Sequence, residues 1–293
     1  MLDNFLQVTV NGLIDGSTYA LLGVAFGLII GVTGRFHVAF AMTYTLAAFV
    51  AAWLGMFLGA PFWVAVIAGA LAAALVGAAI DRFVYWPILL RTGANGLLMV
   101  FVASLGVSIV GRNAIALTTI SNAASVVSGF TNTGLSAGPL TVSTLNLATA
   151  ATDWVLIALL SLLLARTSLG RIIRAVRANP EMALCVGINP ATVTVIVFAL
   201  GSFLGGVAGV FQAALTSATP DMGTTPLFYA LVVAFVAGLS SPPLVVAAVG
   251  IALGVVESWT TLVLPTTWTA VVVFGILFVY VALRPLRPGI ASA

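Results

Sequence analysis

Long stretches of Ala, Leu, Val, Ile, Phe and Gly follow one another along the chain, separated by short polar breaks and one longer polar segment. The breaks delimit nine apolar segments: 8–31, 36–58, 62–86, 96–118, 152–165, 190–216, 227–240, 243–264 and 268–283. A helix crosses a bilayer in roughly 20 residues, and most of these segments reach that length. Segments 152–165 and 227–240 are short, which predicts extension into flanking residues, tilt or a broken helix. No period of two runs through the segments, so barrel strands are not expected. The pattern predicts an all-α, polytopic membrane helix bundle of about eight to nine transmembrane segments, one domain over residues 1–293.

Within the segments small residues recur every four positions: Gly23, Gly27 and Gly31; Gly69, Ala73 and Gly77; Gly201, Gly205, Gly209 and Ala213; Gly250, Gly254 and Ser258. On a helix this spacing makes a groove along one face, where neighbouring backbones approach closely. Close helix packing is the expectation for these positions rather than contact with a solute. Residues 119–150 are rich in Ser, Thr, Asn and Gly and are expected to form an ordered external loop, with short strands in "ASVVSG" and "GPLTVSTL".

Composition sharpens the membrane reading. Of 293 residues 62% are hydrophobic and only 6% charged, too few for a water-soluble surface. The net charge of +3 comes entirely from arginine, since there is no lysine, and no basic run suggests nucleic-acid binding. The first segment has no basic flank and no small-residue cleavage site, so it is expected to be retained. The single cysteine, Cys185, is expected to be a small apolar filler.

Arginines near span ends collect on the cytoplasmic side. With the N-terminus outside and nine alternating segments, Arg35, Arg82, Arg91, Arg166, Arg171, Arg174, Arg177, Arg284 and Arg287 all fall inside. Arg112 is the exception, and Asp3, Asp153 and Asp221 fall outside.

Charge concentrates in "TSLGRIIRAVRANPEMALCVGINP", residues 167–190. On a helix Arg171, Arg174 and Arg177 share an arc of roughly 120°, opposite Leu169, Ile172, Ile173 and Val176. A second short helix is predicted after it, with Asn179 as N-cap, Pro180 at its first position, Glu181 near its positive end and Gly187 beyond its last turn. Such capping of a very short helix points to a rigid element on which another protein can push. A basic loop that merely anchors on membrane lipid would not need it.

These residues, with "FALGSFLGGVAGVFQA" after them, closely resemble the cytoplasmic coupling segment and following helix of the branched-chain amino acid ABC transporter permeases, in particular the LivH-type subunit. "NGLIDGSTYALLGVAFGLIIGVTG" resembles that family's first helix, "DRFVYWPILLR" its first cytoplasmic loop and "LGVVESW" a late-helix motif. The resemblance implies a permease subunit of an importer in the bacterial cytoplasmic (inner) membrane. It implies as partners a second related permease, two cytoplasmic ABC ATPases and an extracytoplasmic solute-binding protein. Residues 166–189 would be the ATPase-coupling segment, with Arg171, Arg174, Arg177, Asn179, Glu181 and Gly187 as its working residues. No G-x-x-x-x-G-K-[ST] loop exists in the chain, so no cofactor is expected here, and ATP and Mg²⁺ would be bound by the partner ATPase. The implied solute is a branched-chain or related amino acid.

The chain departs from the family after the first helix, where "HVAFAM" stands for a pattern like N-F-A-H-G-E and puts Phe40 and Met42 at its polar positions. "GLSSPP" at 238–243 replaces a glycine-rich turn. If these positions line the path, a less polar or differently charged solute than leucine, isoleucine or valine is expected.

An intramembrane carboxylate is a functional candidate by default, which singles out Asp15. With Thr18, Tyr19, His37, Phe40, Met42 and Tyr44 it makes the candidate substrate path. Thr18, Tyr19, Thr43, Tyr44 and Thr45 could equally bond their own helix or a neighbour. Glu257 is expected to bond a neighbouring helix. The second reading is a self-sufficient ion-coupled transporter or channel, with Asp15, His37 and Glu257 as its path. One histidine, one cysteine and no clustered carboxylates leave a metal site or an intramembrane enzyme without residues.

Overall fold

In the computed structural model the described residues are 2–92, 96–118, 124–126, 134–137, 140–265 and 268–283. Twelve helices and one hairpin follow in order: α1 Leu2–Thr33, α2 Phe40–Leu58, α3 Phe62–Ile80, α4 Trp86–Thr92, α5 Gly96–Thr118, β1 Gly134–Ala137, β2 Leu140–Ser143, α6 Thr144–Arg166, α7 Ser168–Ala178, α8 Pro180–Cys185, α9 Pro190–Leu215, α10 Thr224–Ala237, α11 Pro243–Val263 and α12 Thr269–Leu283. Among the described residues seven helical stretches are long and apolar enough to cross a membrane, and two shorter apolar helices, Thr224–Ala237 and Val271–Tyr280, accompany them. The nine apolar segments are thus all helical.

Segment 152–165 is not short: α6 begins at Thr144, where Ser143 caps it by accepting from the Leu145 amide, and runs 23 residues. The Ser- and Thr-rich start of that helix, inside the stretch expected to be loop, concealed its first turns. Segment 62–86 continues without a break through a π-helical turn, Asp81–Tyr85, into α4, so the residues resembling a cytoplasmic loop extend a helix instead.

α1 is the central mast, packed along α11, α10, α9 and α6, while α2, α3 and α9 make a second packed group. The small-residue stripes do what their spacing predicts. Gly23, Gly27 and Gly31 admit Val233, Ala234 and the Leu239 carbonyl of the α10 side, and a side chain at Gly69 or Gly77 would meet α2 or α9. Gly201 faces Ile29 and Ala25 of α1, and Gly209 faces the Tyr44 backbone. A close crossing pairs an expected stripe with two glycines outside the expected ones: Gly12 and Gly16 of α1 lie directly against Gly254 and Ile251 of α11.

The two ends of the bundle differ. At the end where α1 begins, Gln7 exchanges two hydrogen bonds of 2.9 Å with the backbone of Thr141, tying down the β1–β2 hairpin. Ala124 pairs with Ala218, both backbone bonds formed. "GPLTVSTL" therefore contains a strand, Leu140–Ser143, whereas residues 127–129 of "ASVVSG" lie outside the described residues, as do Arg284 and Arg287. Arg112 at this end pairs with Asp221 at 2.7 Å, so the arginine that broke the charge asymmetry has a local counter-charge. At the opposite end stand Arg35, Arg166 and the α7–α8 segment.

Candidate functional site

The elbow at 167–187 forms as its residues dictate. Thr167 caps α7 by accepting from the Gly170 amide, and Asn179 Oδ1 caps α8 by accepting from the amides of Glu181 and Met182, both at 3.0 Å. Gly187 ends the element with φ +84°, a left-handed conformation that suits glycine. Gly170 is buried where α7 folds back on α6, and any side chain there would overlap the Leu164 carbonyl. Ile173 and Val176 are buried and Leu169 and Ile172 half-buried, the face predicted from their spacing.

The three arginines divide. Arg171 is exposed, whereas Arg174 donates through Nη1 to the Leu164 carbonyl and Arg177 through Nη2 to the Leu239 carbonyl at 2.5 Å. Burial lowers the pKa of Arg177 from the ordinary arginine value. Exposed on α8 and just beyond it are Met182, Leu184 and Val186, at 64%, 61% and 72%, beside Glu181 and Cys185. Cys185 is thus no core filler: it stands free at the tip of the elbow.

The residues proposed for the path do not form one group. Asp15 is exposed on α1, with Glu257 of α11 in its neighbourhood. Tyr19 stacks on Tyr229 of α10 with ring centroids 4.4 Å apart, and the Tyr229 hydroxyl donates to Glu257 Oε1 at 2.7 Å. Glu257 thus makes its expected bond to a neighbouring helix. Its other oxygen, Oε2, is buried and has no hydrogen-bond partner among the described residues. Tyr229 was not singled out by the sequence reasoning, because it sits in an apolar segment with nothing polar beside it.

Thr18 faces the other way. It donates to Oδ2 of Asp153 at 2.9 Å, and Ser17 approaches the same oxygen at 3.4 Å, while Tyr44 is buried in α2. Asp153 is the tenth residue of α6 and is fully buried, so its expected place outside the membrane is overturned. Thr43 and Thr45 bond to carbonyls of their own helix.

His37 belongs to a third group. It is fully buried, its Nδ1 lies 2.9 Å from the Tyr85 hydroxyl, and the rings of Phe40 and Phe198 stand edge-on to it. Arg35 and Asp81 form a buried ion pair in the same region, and Thr194 of α9 donates to Asp81 Oδ2 at 2.9 Å. Sequence reasoning missed Asp81, which it had placed in a loop. His37 therefore stands apart from Asp15 and Glu257, and the ion path imagined through all three does not assemble. Phe40 is buried against Gly205, and Met42 packs on Gly111 of α5, so the two departures from the family pattern are filled by core packing. No group of three or more His, Cys, Asp or Glu side chains is arranged to hold a metal among the described residues.

Comparison with known proteins fits this geometry. The family described as "Branched-chain amino acid transport system / permease component" matches residues 8–282. The chain is 27% identical to the high-affinity branched-chain amino acid transport system permease protein BraD of Pseudomonas aeruginosa, covering 96% of this chain and 94% of that one. It is 27% identical to the corresponding LivH protein of Salmonella typhimurium and 26% to that of Escherichia coli K12, with the same coverage.

Proposed function

The chain belongs to the branched-chain amino acid transport permease family, and from that premise we propose that it carries a branched-chain or related amino acid inward as half of an ABC importer. It is a multi-pass membrane protein and a transport subunit, not an enzyme. Its place is the bacterial inner membrane. A second, related permease completes the path, two cytoplasmic ATPases drive it, and an extracytoplasmic binding protein delivers the solute.

The observation that carries the coupling role is the α7–α8 elbow. A helix of six residues, capped at both ends, carries two exposed apolar side chains, with a third at Val186 just beyond it, flanked by Glu181 and with Arg171 on the preceding helix. Such a tip leaves apolar area in water unless a partner covers it. In this arrangement Met182, Leu184 and Val186 enter a cleft on the ATPase and Arg171 meets its acidic rim. Arg174 and Arg177 act from behind, bracing the elbow against α6 and the α10–α11 turn.

The solute path follows from Asp15. A carboxylate exposed on a spanning helix is costly against lipid, so that face of α1 is turned to the second permease and to water. Asp15, Tyr19, Tyr229 and Glu257 supply carboxylates and aromatic faces there, a chemistry suited to the ammonium group of an amino acid.

The test is co-expression with the ATPase subunits of the transport system. Leu184→Asp and Arg171→Glu are each expected to cut ATPase co-purification about tenfold while the chain still inserts in the membrane. Undiminished co-purification of both variants refutes the docking role.

A further inference from the structure

A cavity of about 370 Å³ opens beside the elbow, between α1, α6, α7 and the start of α11. Its wall is mostly apolar, formed by residues such as Val24, Leu28 and Leu164 with Ser161, Ser240 and Ser241 among them, and it runs out to Leu244, an exposed side chain of α11. Arg174 and Arg177 are among its lining residues, and no acidic side chain lines it. Each arginine gives one N–H to a backbone carbonyl, Leu164 or Leu239, and a guanidinium has five. Each is therefore held in place with donors remaining.

We propose that this cavity binds the headgroup and upper acyl chain of an anionic phospholipid of the cytoplasmic leaflet, with Arg174 and Arg177 as phosphate ligands. The cytoplasmic assignment rests on the placement of the elbow given under the proposed function. The charge complementarity is specific. Two fixed cations at the end of α6, the depth of the lipid headgroups, ask for an anion, and the apolar wall below them asks for hydrocarbon. A soluble anion would satisfy the arginines and leave the wall wet. A zwitterionic amino acid would bring its ammonium to two guanidinium groups with no carboxylate to receive it. An anionic lipid meets both demands at once, and its occupancy would stiffen the seat from which the elbow projects.

The full chain, purified without ATPase and placed in nanodiscs of phosphatidylcholine with increasing phosphatidylglycerol, tests this by native mass spectrometry of retained lipid. One phosphatidylglycerol per chain is expected to survive activation, with phosphatidylcholine lost. Arg174→Gln with Arg177→Gln is expected to weaken retention about thirtyfold. Because that pair also braces α7, a second variant removes no hydrogen bond: Ala165→Trp, at an exposed lining position of α6, fills the cavity and expels the lipid with both arginines intact. Equal retention of the two lipids by the unaltered chain overturns the proposal. So does Ala165→Trp retaining phosphatidylglycerol as the unaltered chain does, and so does inorganic phosphate alone protecting the chain from thermal unfolding as well as phosphatidylglycerol. Since no ATPase is present, a negative result leaves the docking role of Leu184 standing, and loss of docking leaves lipid retention unchanged.

Discussion

Thr18 of α1 donates a 2.9 Å hydrogen bond to Asp153 of α6 at a point where the carboxylate has no exposed surface and its second oxygen has no partner among the described residues. Among the described residues only neutral hydroxyls are hydrogen-bonded to it. The bond fastens α6, otherwise largely exposed to the surroundings of the bundle, to the central helix.

That arrangement predicts an asymmetry between two substitutions. Asp153→Asn keeps an acceptor for Thr18 and carries no buried charge, so stability should change by less than about 1 kcal/mol. Asp153→Ala removes the acceptor and leaves a void, for a loss of about 1–2 kcal/mol. Unfolding by denaturant in mixed micelles measures both, and an Asn variant as damaged as the Ala variant would show that the charge itself matters.

The ion pair of Arg35 with Asp81 should behave differently, because both partners are buried and bonded. Removing one charge strands the other. Asp81→Asn is expected to lose about 3–5 kcal/mol, and the double variant Arg35→Met with Asp81→Leu to recover most of it. A double-mutant cycle on expression level and thermal stability checks the sign.

Glycine positions at the α1–α11 crossing should be intolerant in a way that composition alone does not suggest. A methyl group at Gly254 would overlap the backbone of Gly16, while Gly106 of α5 has open space around its missing side chain. Gly254→Ala is expected to cost at least about 2 kcal/mol by forcing the helices apart, and Gly106→Ala to be neutral or slightly stabilising. Parallel thermal unfolding of the two variants tests the contrast.

Arg177 predicts a separation of two activities. Its guanidinium faces the Leu239 carbonyl, not the exposed tip, so Arg177→Ala should leave ATPase association near normal and lower uptake several-fold, with ATP hydrolysis continuing. Solute uptake and phosphate release measured on the same proteoliposomes give the ratio. A proportional fall in both would assign Arg177 to docking instead.

Asp15 can be tested without disturbing the core. Asp15→Asn should insert and assemble yet lower the affinity for an amino acid by roughly tenfold, if the carboxylate meets the ammonium. Uptake at a range of concentrations, and the same assay with the deaminated hydroxy acid, separates loss of recognition from loss of assembly.

The elbow was readable from sequence almost to the residue because caps are local chemistry. Asn179, Pro180 and Gly187 act on amides and dihedrals within a few positions of themselves. The recurrent small residues were readable for the same reason, since spacing by four fixes a face. What stayed hidden depends on partners distant in the chain. Nothing around residue 153 announces that α6 starts nine residues earlier and turns Asp153 towards Thr18. The arc shared by Arg171, Arg174 and Arg177 cannot reveal which of them meets a carbonyl from residue 164 or 239. Gly12 and Gly16 went unnoticed because the more regular stripe at Gly23, Gly27 and Gly31 answers to a different neighbour, α10.

The backbone contact of α1 with α11 has a mechanical corollary. Helices pressed together at Gly16 and Gly254 cannot slide or hinge against each other, and Gly31 lets the Leu239 carbonyl, gripped by Arg177, abut the far end of the same mast. In the importer proposed above, force applied at the elbow would reach the far half of the molecule as a swing of a stiff two-helix beam. A swing of about 5°, acting over the roughly 24 Å of helix between Gly31 and Asp15, would carry that carboxylate about 2 Å, enough to make or break its hold on the ammonium group of an amino acid.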